Sequence, residues 1–156
     1  MYSRLESEEY NMVWDKFENI YKFTPSIYPE KWPGIKEPNP SITFTWRDLD
    51  GFNEKTEVLD KILISAFTVL SSENRIKYIL DWQHTCYKLI DLNSSTSYPL
   101  GTFPDGDYHI WLSKDLNCGT FGHPWEETIC IIGEELISLV GEQMIDVLGN
   151  PIRKNN

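Results

Sequence analysis

Apolar residues recur with helical spacing in three stretches of the chain and with strand spacing in several others. Tyr10, Val13, Trp14, Phe17, Ile20 and Tyr21 line one side of an amphipathic helix, leaving Glu9, Asp15 and Glu18 outside, with Ser3 or Ser7 available as its cap. Val58, Leu59, Ile62, Leu63, Ala66, Phe67 and Leu70 form a broader stripe, which predicts the main core helix, entered through an Asp50-Gly51 turn and capped by Asn53. Leu136, Ile137, Val140, Met144 and Val147 or Leu148 predict a last helix that opens after Gly133 and ends at Gly149, with Pro151 beyond.

Strand patterns fill the space between. Ile42, Phe44 and Trp46 alternate with Ser41, Thr43 and Thr45. The even positions Ile76, Tyr78, Leu80, Trp82, His84 and Cys86 predict one long strand, with room for a bulge, between residues 76 and 90. After the Pro104-Asp-Gly-Asp107 turn, Tyr108, Ile110 and Leu112 should face a core while His109 and Trp111 face out. Thr128-Ile-Cys-Ile-Ile132 is apolar on both faces, the signature of a central strand covered on two sides. Residues 24–40 carry five prolines and cannot form a regular helix; Ile27, Tyr28, Trp32 and Ile35 among them predict a segment wrapped on the core with Trp32 partly buried. Asp91 to Gly101 reads as a solvated loop. The order of elements gives an α+β fold: one domain over residues 1–156, with a mainly antiparallel sheet of about four to five strands packed against two or three helices.

Composition narrows the class. A chain of 156 residues, 40% hydrophobic and 13% aromatic, buries one sizeable core. Its apolar runs are far shorter than the roughly 20 residues of a membrane helix. Acids stand among the first nine residues where a secretory signal would be apolar, so a cytoplasmic location is expected. Cys86, Cys118 and Cys130 are widely spaced and odd in number, which fits reduced thiols rather than a disulfide framework. The net charge of −10 argues against nucleic-acid binding. No Lys or Arg lies between Lys114 and Arg153, whereas Asp115, Glu126, Glu127, Glu134, Glu135, Glu142 and Asp146 do. These acids are either solvated helix faces or a docking face for a basic protein.

Catalytic and metal motifs are sparse. Asp48, Asp50, Gly51 and Glu57 fit a calcium loop, but its first ligand position is Trp46, so a strand-to-helix turn is the better account. A three-histidine metal site would need His84, His109 and His123 from distant segments, with His84 and His109 pointing to opposite faces, so no metal and no cofactor is expected. Cys130 sits in an apolar strand, where burial suppresses the thiolate. No nucleophile elbow, phosphate loop or dinucleotide fingerprint is present, so no catalytic residue is assigned and the reading leans away from an enzyme. His123, Trp125 and Glu126, with Trp82 and His84, are candidate ligand-binding residues lining a cleft; the bend at Gly122-His-Pro-Trp125 equally needs groups that satisfy its own backbone. Tyr87 and Trp111, on the outward side of their strands, and Glu134, Glu135 and Glu142 are candidate partner-binding residues.

Several stretches carry a resemblance: Trp14-x-x-Phe17, Trp32-Pro-Gly-Ile35, Pro38-Asn-Pro-Ser-Ile-Thr-Phe44, Asp81-Trp-Gln-His84, Asp105-Gly-Asp107 and the block from Gly119-Thr-Phe-Gly-His-Pro-Trp-Glu126 to Ile137. Over nearly its whole length the chain resembles a small bacterial family of uncharacterised proteins, a domain of unknown function. The resemblance implies a small soluble bacterial domain and supplies no catalytic residue. The charge asymmetry then favours a protein-binding, toxin-neutralising (immunity-like) module with a basic partner, as a monomer or weak homo-oligomer; the alternative is a small-molecule binder or enzyme using the cleft named above.

Overall fold

The protein is described by a computed structural model that covers residues 1–47, 49–92 and 97–156. Among these residues are eight strands: β1 (Tyr2–Arg4), β2 (Ser41–Thr45), β3 (Ile76–Asp81), β4 (Tyr87–Leu89), β5 (His109–Ser113), β6 (Gly119–His123), β7 (Thr128–Ile132) and β8 (Arg153–Asn155). They form one sheet in the order β1-β4-β3-β5-β6-β7-β2-β8, and every neighbouring pair is antiparallel. The helices are α1 (Ser7–Tyr21), α2 (Phe52–Val69) and α3 (Glu134–Leu148). The fold is therefore α+β, with a sheet of eight strands rather than four to five.

The sheet is the middle layer of three. On one face α1 packs Val13, Trp14, Phe17 and Tyr21 against Tyr78, Leu80, Ile110, Leu112, Phe121 and Cys130. On the other, Leu59, Leu63 and Phe67 of α2 and Leu136, Val140 and Met144 of α3 meet Ile42, Phe44, Ile79, Trp111, Ile129 and Ile131. A sheet covered on both faces has no outward side. Trp111 is consequently fully buried, stacked on Phe67 at 5.4 Å, with its indole N–H donating to the Gly101 carbonyl at 3.1 Å. Its expected exposure as a partner anchor is overturned, because the alternation that points it away from α1 points it at α2.

The expected long strand over 76–90 is a hairpin. The parity of Tyr78, Leu80 and Cys86 persists because all three reach the α1 side, but the chain turns between Asp81 and Tyr87, with Gln83 at a left-handed φ of 63°. The bulge lies between Ile76 and Tyr78. Neither helix start uses its expected cap. Glu6 precedes α1 and Gly51 precedes α2, and neither makes a side-chain cap bond. Ile20 and Val58, counted as core, are 43% and 50% exposed, because each apolar stripe is wider than the surface it covers. Asp48 and residues 93–96, which carry the calcium-loop fit and most of the polar loop, lie outside the described residues.

The glycines of β6 explain why that strand escapes a propensity reading. A Cβ on Gly119 would stand 1.8 Å from the Trp111 carbonyl oxygen, and one on Gly122 would stand 2.7 Å from the Pro104 ring. Both positions exclude a side chain so that neighbouring backbone can lie against the strand. The proline-rich segment is wrapped on the α1 side as expected. Thr24 N–H donates to the Gly34 carbonyl at 2.7 Å, Lys36 N–H to the Tyr21 carbonyl at 2.6 Å, and half-buried Trp32 to the Ser26 carbonyl at 3.0 Å.

Candidate functional site

One end of the sheet gathers most of the predicted ligand-binding residues. Asp81 at the end of β3 pairs with His109 at the start of β5, which pairs with Gly122 at the end of β6. Tyr108, fully buried, is the hub: its ring lies 4.9 Å from His123, 5.4 Å from Trp125 and 5.9 Å from Trp82. Its hydroxyl accepts the Ser26 N–H at 2.9 Å. Trp82, His123 and Trp125 are thus brought together, as a packed edge-to-face aromatic cluster.

His123 is fully buried within it. Its Nδ1 accepts the backbone N–H of Trp125 at 3.3 Å and of Glu126 at 3.0 Å, which places the remaining ring proton on Nε2. Burial pulls its pKa down to about 4, so the ring is neutral at ordinary pH. Such a ring serves the bend at Pro124 rather than proton transfer. Glu126 is equally committed. Both its carboxylate oxygens accept from Arg153, at 2.7 and 3.0 Å, and Oε1 also accepts from Thr128 Oγ1 at 2.6 Å. Arg153, on the C-terminal strand β8, also donates to both oxygens of Glu37, at 2.5 and 3.2 Å. Glu126 therefore receives its counter-charge from β8, while its neighbour Glu127 has Arg47 at 3.9 Å.

His84 behaves differently. The turn after β3 carries its ring out of the apolar row, where the strand pattern had placed it, to an exposed position between two carboxylates. His84 Nδ1 lies 3.1 Å from Asp81 Oδ1 and 2.9 Å from Asp107 Oδ2. Hydrogen bonding to Asp81, followed by the charge of both acids, raises the His84 pKa, while burial raises that of Asp107. No sequence motif marks Asp81 and Asp107 as functional, because a turn already accounts for the Pro104-Asp-Gly-Asp107 run and Asp81 has the polar parity of its strand. Cys86 sits behind this group with its Sγ 3.4 Å from both the Asp81 N and O, and burial raises its pKa away from a thiolate. Burial pushes Cys118 and Cys130 up to about 12. Among the described residues the three histidines do not share one ligand set.

The predicted partner residues scatter. Trp111 is in the core, and half-buried Tyr87 packs edge-on against Tyr2 at 5.3 Å. Glu135 is held below the usual carboxylate range by hydrogen bonds from Asn74 and Ser71, and so braces the loop after α2. Glu134 and Glu142 are exposed on α3, with Asp146. Between α2 and α3 runs an open groove lined by Val58, Lys61, Ile62, Val69, Leu139 and Gln143, in which Val58, Val69 and Leu139 are 50%, 63% and 38% exposed.

The chain belongs to the family described as a protein of unknown function (DUF2716), whose model matches residues 4–137. It is also similar to the uncharacterized protein YxiI of Bacillus subtilis (strain 168), at 26% identity over 142 residues, covering 83% of this chain and 86% of that one. No solved structure matches it significantly. No helix among the described residues is long and apolar enough to cross a membrane.

Proposed function

We propose that this member of the family is a protein-binding module of the toxin-neutralising, immunity-like kind, and that its partner presents a basic, partly apolar surface to the outside of the α2–α3 layer. The observation that carries the reading is the groove between those helices. It leaves Val58, Val69 and Leu139 exposed, and α3 beside it bears Glu134, Glu142 and Asp146 in the open and no Lys or Arg. The α2 wall contributes one cation, Lys61, so the acidic side is that of α3. Apolar side chains beside such a face give affinity, and its charge gives partner choice and association rate. The cleft reading has less support: His123 Nδ1 is taken by the bend, its Nε2 is buried among aromatic rings without a hydrogen-bond partner among the described residues, and both Glu126 oxygens are taken by Arg153.

The test is capture with the full chain as bait from extracts of the source cells, followed by binding measurements with the purified captured protein. Leu139→Glu and Glu142→Lys should each weaken binding about tenfold or more, and raised salt should slow association. A captured protein bound equally by both variants, or no captured protein at all, would overturn the reading.

A further inference from the structure

Three side chains of metal-ligating type meet on the surface at the end of β3, and they come from three different parts of the chain. Asp81 closes the strand, His84 lies in the following turn, and Asp107 ends the loop before β5. Their ligand atoms, Asp81 Oδ1, His84 Nδ1 and Asp107 Oδ2, all lie within 4.8 Å of one another. The two nitrogen-to-oxygen separations, 3.1 and 2.9 Å, match the distance of about 3 Å between neighbouring donors on an octahedral ion with bonds of roughly 2.1 Å, and a tetrahedral ion needs them only a few tenths of an ångström wider.

Charge and burial say more than spacing does. The Asp81 and Asp107 side chains are only 19% and 14% exposed, yet among the described residues no Lys or Arg pairs with either. Two largely covered carboxylates aimed at one point call for a cation, and the His84 ring is the single group serving both. The carboxylates are also held in place. Asp107 Oδ1 accepts the Tyr108 N–H at 2.7 Å, which leaves Oδ2 for the shared point, and the Cys86 thiol lies against the Asp81 backbone. Supporting bonds of this kind orient ligands. The ring is 62% exposed, and beside it opens a groove lined by Arg4, Glu6, Tyr10, Gln83 and Thr85, so water has access to the remaining coordination positions.

We propose that Asp81, His84 and Asp107 form a site for one divalent first-row transition ion, with water completing its coordination. Two oxygens and one imidazole nitrogen suit Zn2+ and Mn2+, with Zn2+ the tighter, and disfavour the all-oxygen ions Mg2+ and Ca2+. The site stands apart from the α2–α3 groove and does not depend on the function proposed for it.

Calorimetry on the full, untagged, chelator-stripped chain with ZnCl2, MnCl2 and MgCl2 in separate titrations tests the site. One Zn2+ per chain should bind, tighter than Mn2+, with Mg2+ at least tenfold weaker than Mn2+. His84→Gln alters an exposed ring and should keep the wild-type melting temperature while losing about tenfold or more in Zn2+ affinity; Asp107→Asn should lose as much. Mn2+ should broaden the His84 ring resonances before those of His109 and His123. The inference is overturned by the lack of saturable Zn2+ binding up to about 1 mM, by His84→Gln affinity within twofold of wild type, or by broadening that begins at another histidine.

Discussion

His84 and His123 sit at the same end of one sheet and are held in opposite ways. His123 has lost all contact with solvent, accepts two backbone N–H groups on Nδ1, and is kept neutral. His84 projects from a turn, lies against two carboxylates through the same ring atom, and is biased toward its charged form. The residue type is shared, and the surroundings decide the chemistry. A buried imidazole facing backbone donors is a piece of scaffold, whereas an exposed one facing acids is a cation or a cation's ligand.

Substitution should separate the two most sharply. His123→Ala strands two backbone donors and opens a cavity among Tyr108, Trp32 and Trp125, at a cost of about 3–4 kcal/mol. Thermal unfolding should show a fall of roughly 6–16 °C. An equal loss in His84→Ala would erase the distinction. Next in size is Arg153→Ala, which leaves Glu37 and Glu126 facing each other without their shared guanidinium and should cost about 2–3 kcal/mol by denaturant unfolding.

The pH response of the pair has opposite signs. His123 has a folded pKa of about 4, below its unfolded value near 6.5, so between those limits the unfolded chain binds more protons. Its contribution is complete above pH about 6.5 and lost as the pH falls toward 4, by roughly 3 kcal/mol in all. For His84 the folded pKa is raised, so its contribution is complete below the unfolded pKa and is lost as the pH rises through the folded one. Ring proton shifts followed by NMR should show His84 titrating above the ordinary histidine value, while His123 stays neutral until near pH 4. A His123 ring that titrates normally would mean that the bend opens readily.

How much of this was readable in the sequence follows from how local each determinant is. α3 and β2 announce themselves through periodicity and β7 through an unbroken apolar run, and α3 begins after Gly133 and ends before Gly149 as the pattern predicts. β1 and β8 are three residues each and exist only by pairing with β4 and β2, which leaves no periodic trace. β6 was hidden by Gly119 and Gly122, whose reason is a clash with distant backbone and a proline ring. The hairpin at Trp82 was masked because parity resumed after the turn. That error put His84 on the wrong side and kept it from being matched with Asp107, 23 positions away in sequence but 2.9 Å away in space. Likewise, alternation gave the direction of Trp111 correctly, and only the packing of α2 turns that direction into burial.

The smallest expected effect falls on the α2–α3 groove and isolates it from the histidine end of the sheet. Glu142 is on the open side of α3, so Glu142→Lys should change stability by no more than about 0.5 kcal/mol in denaturant unfolding, whereas Leu139, 38% exposed, should make Leu139→Glu cost about 1 kcal/mol. Neither should move the titration of His84 or His123, since additive behaviour is expected of sites that share no partner. Their consequence should appear only in binding to a basic protein. If Leu139→Glu instead unfolds the chain, the groove is a load-carrying seam between α2 and α3 rather than a surface held open for a partner.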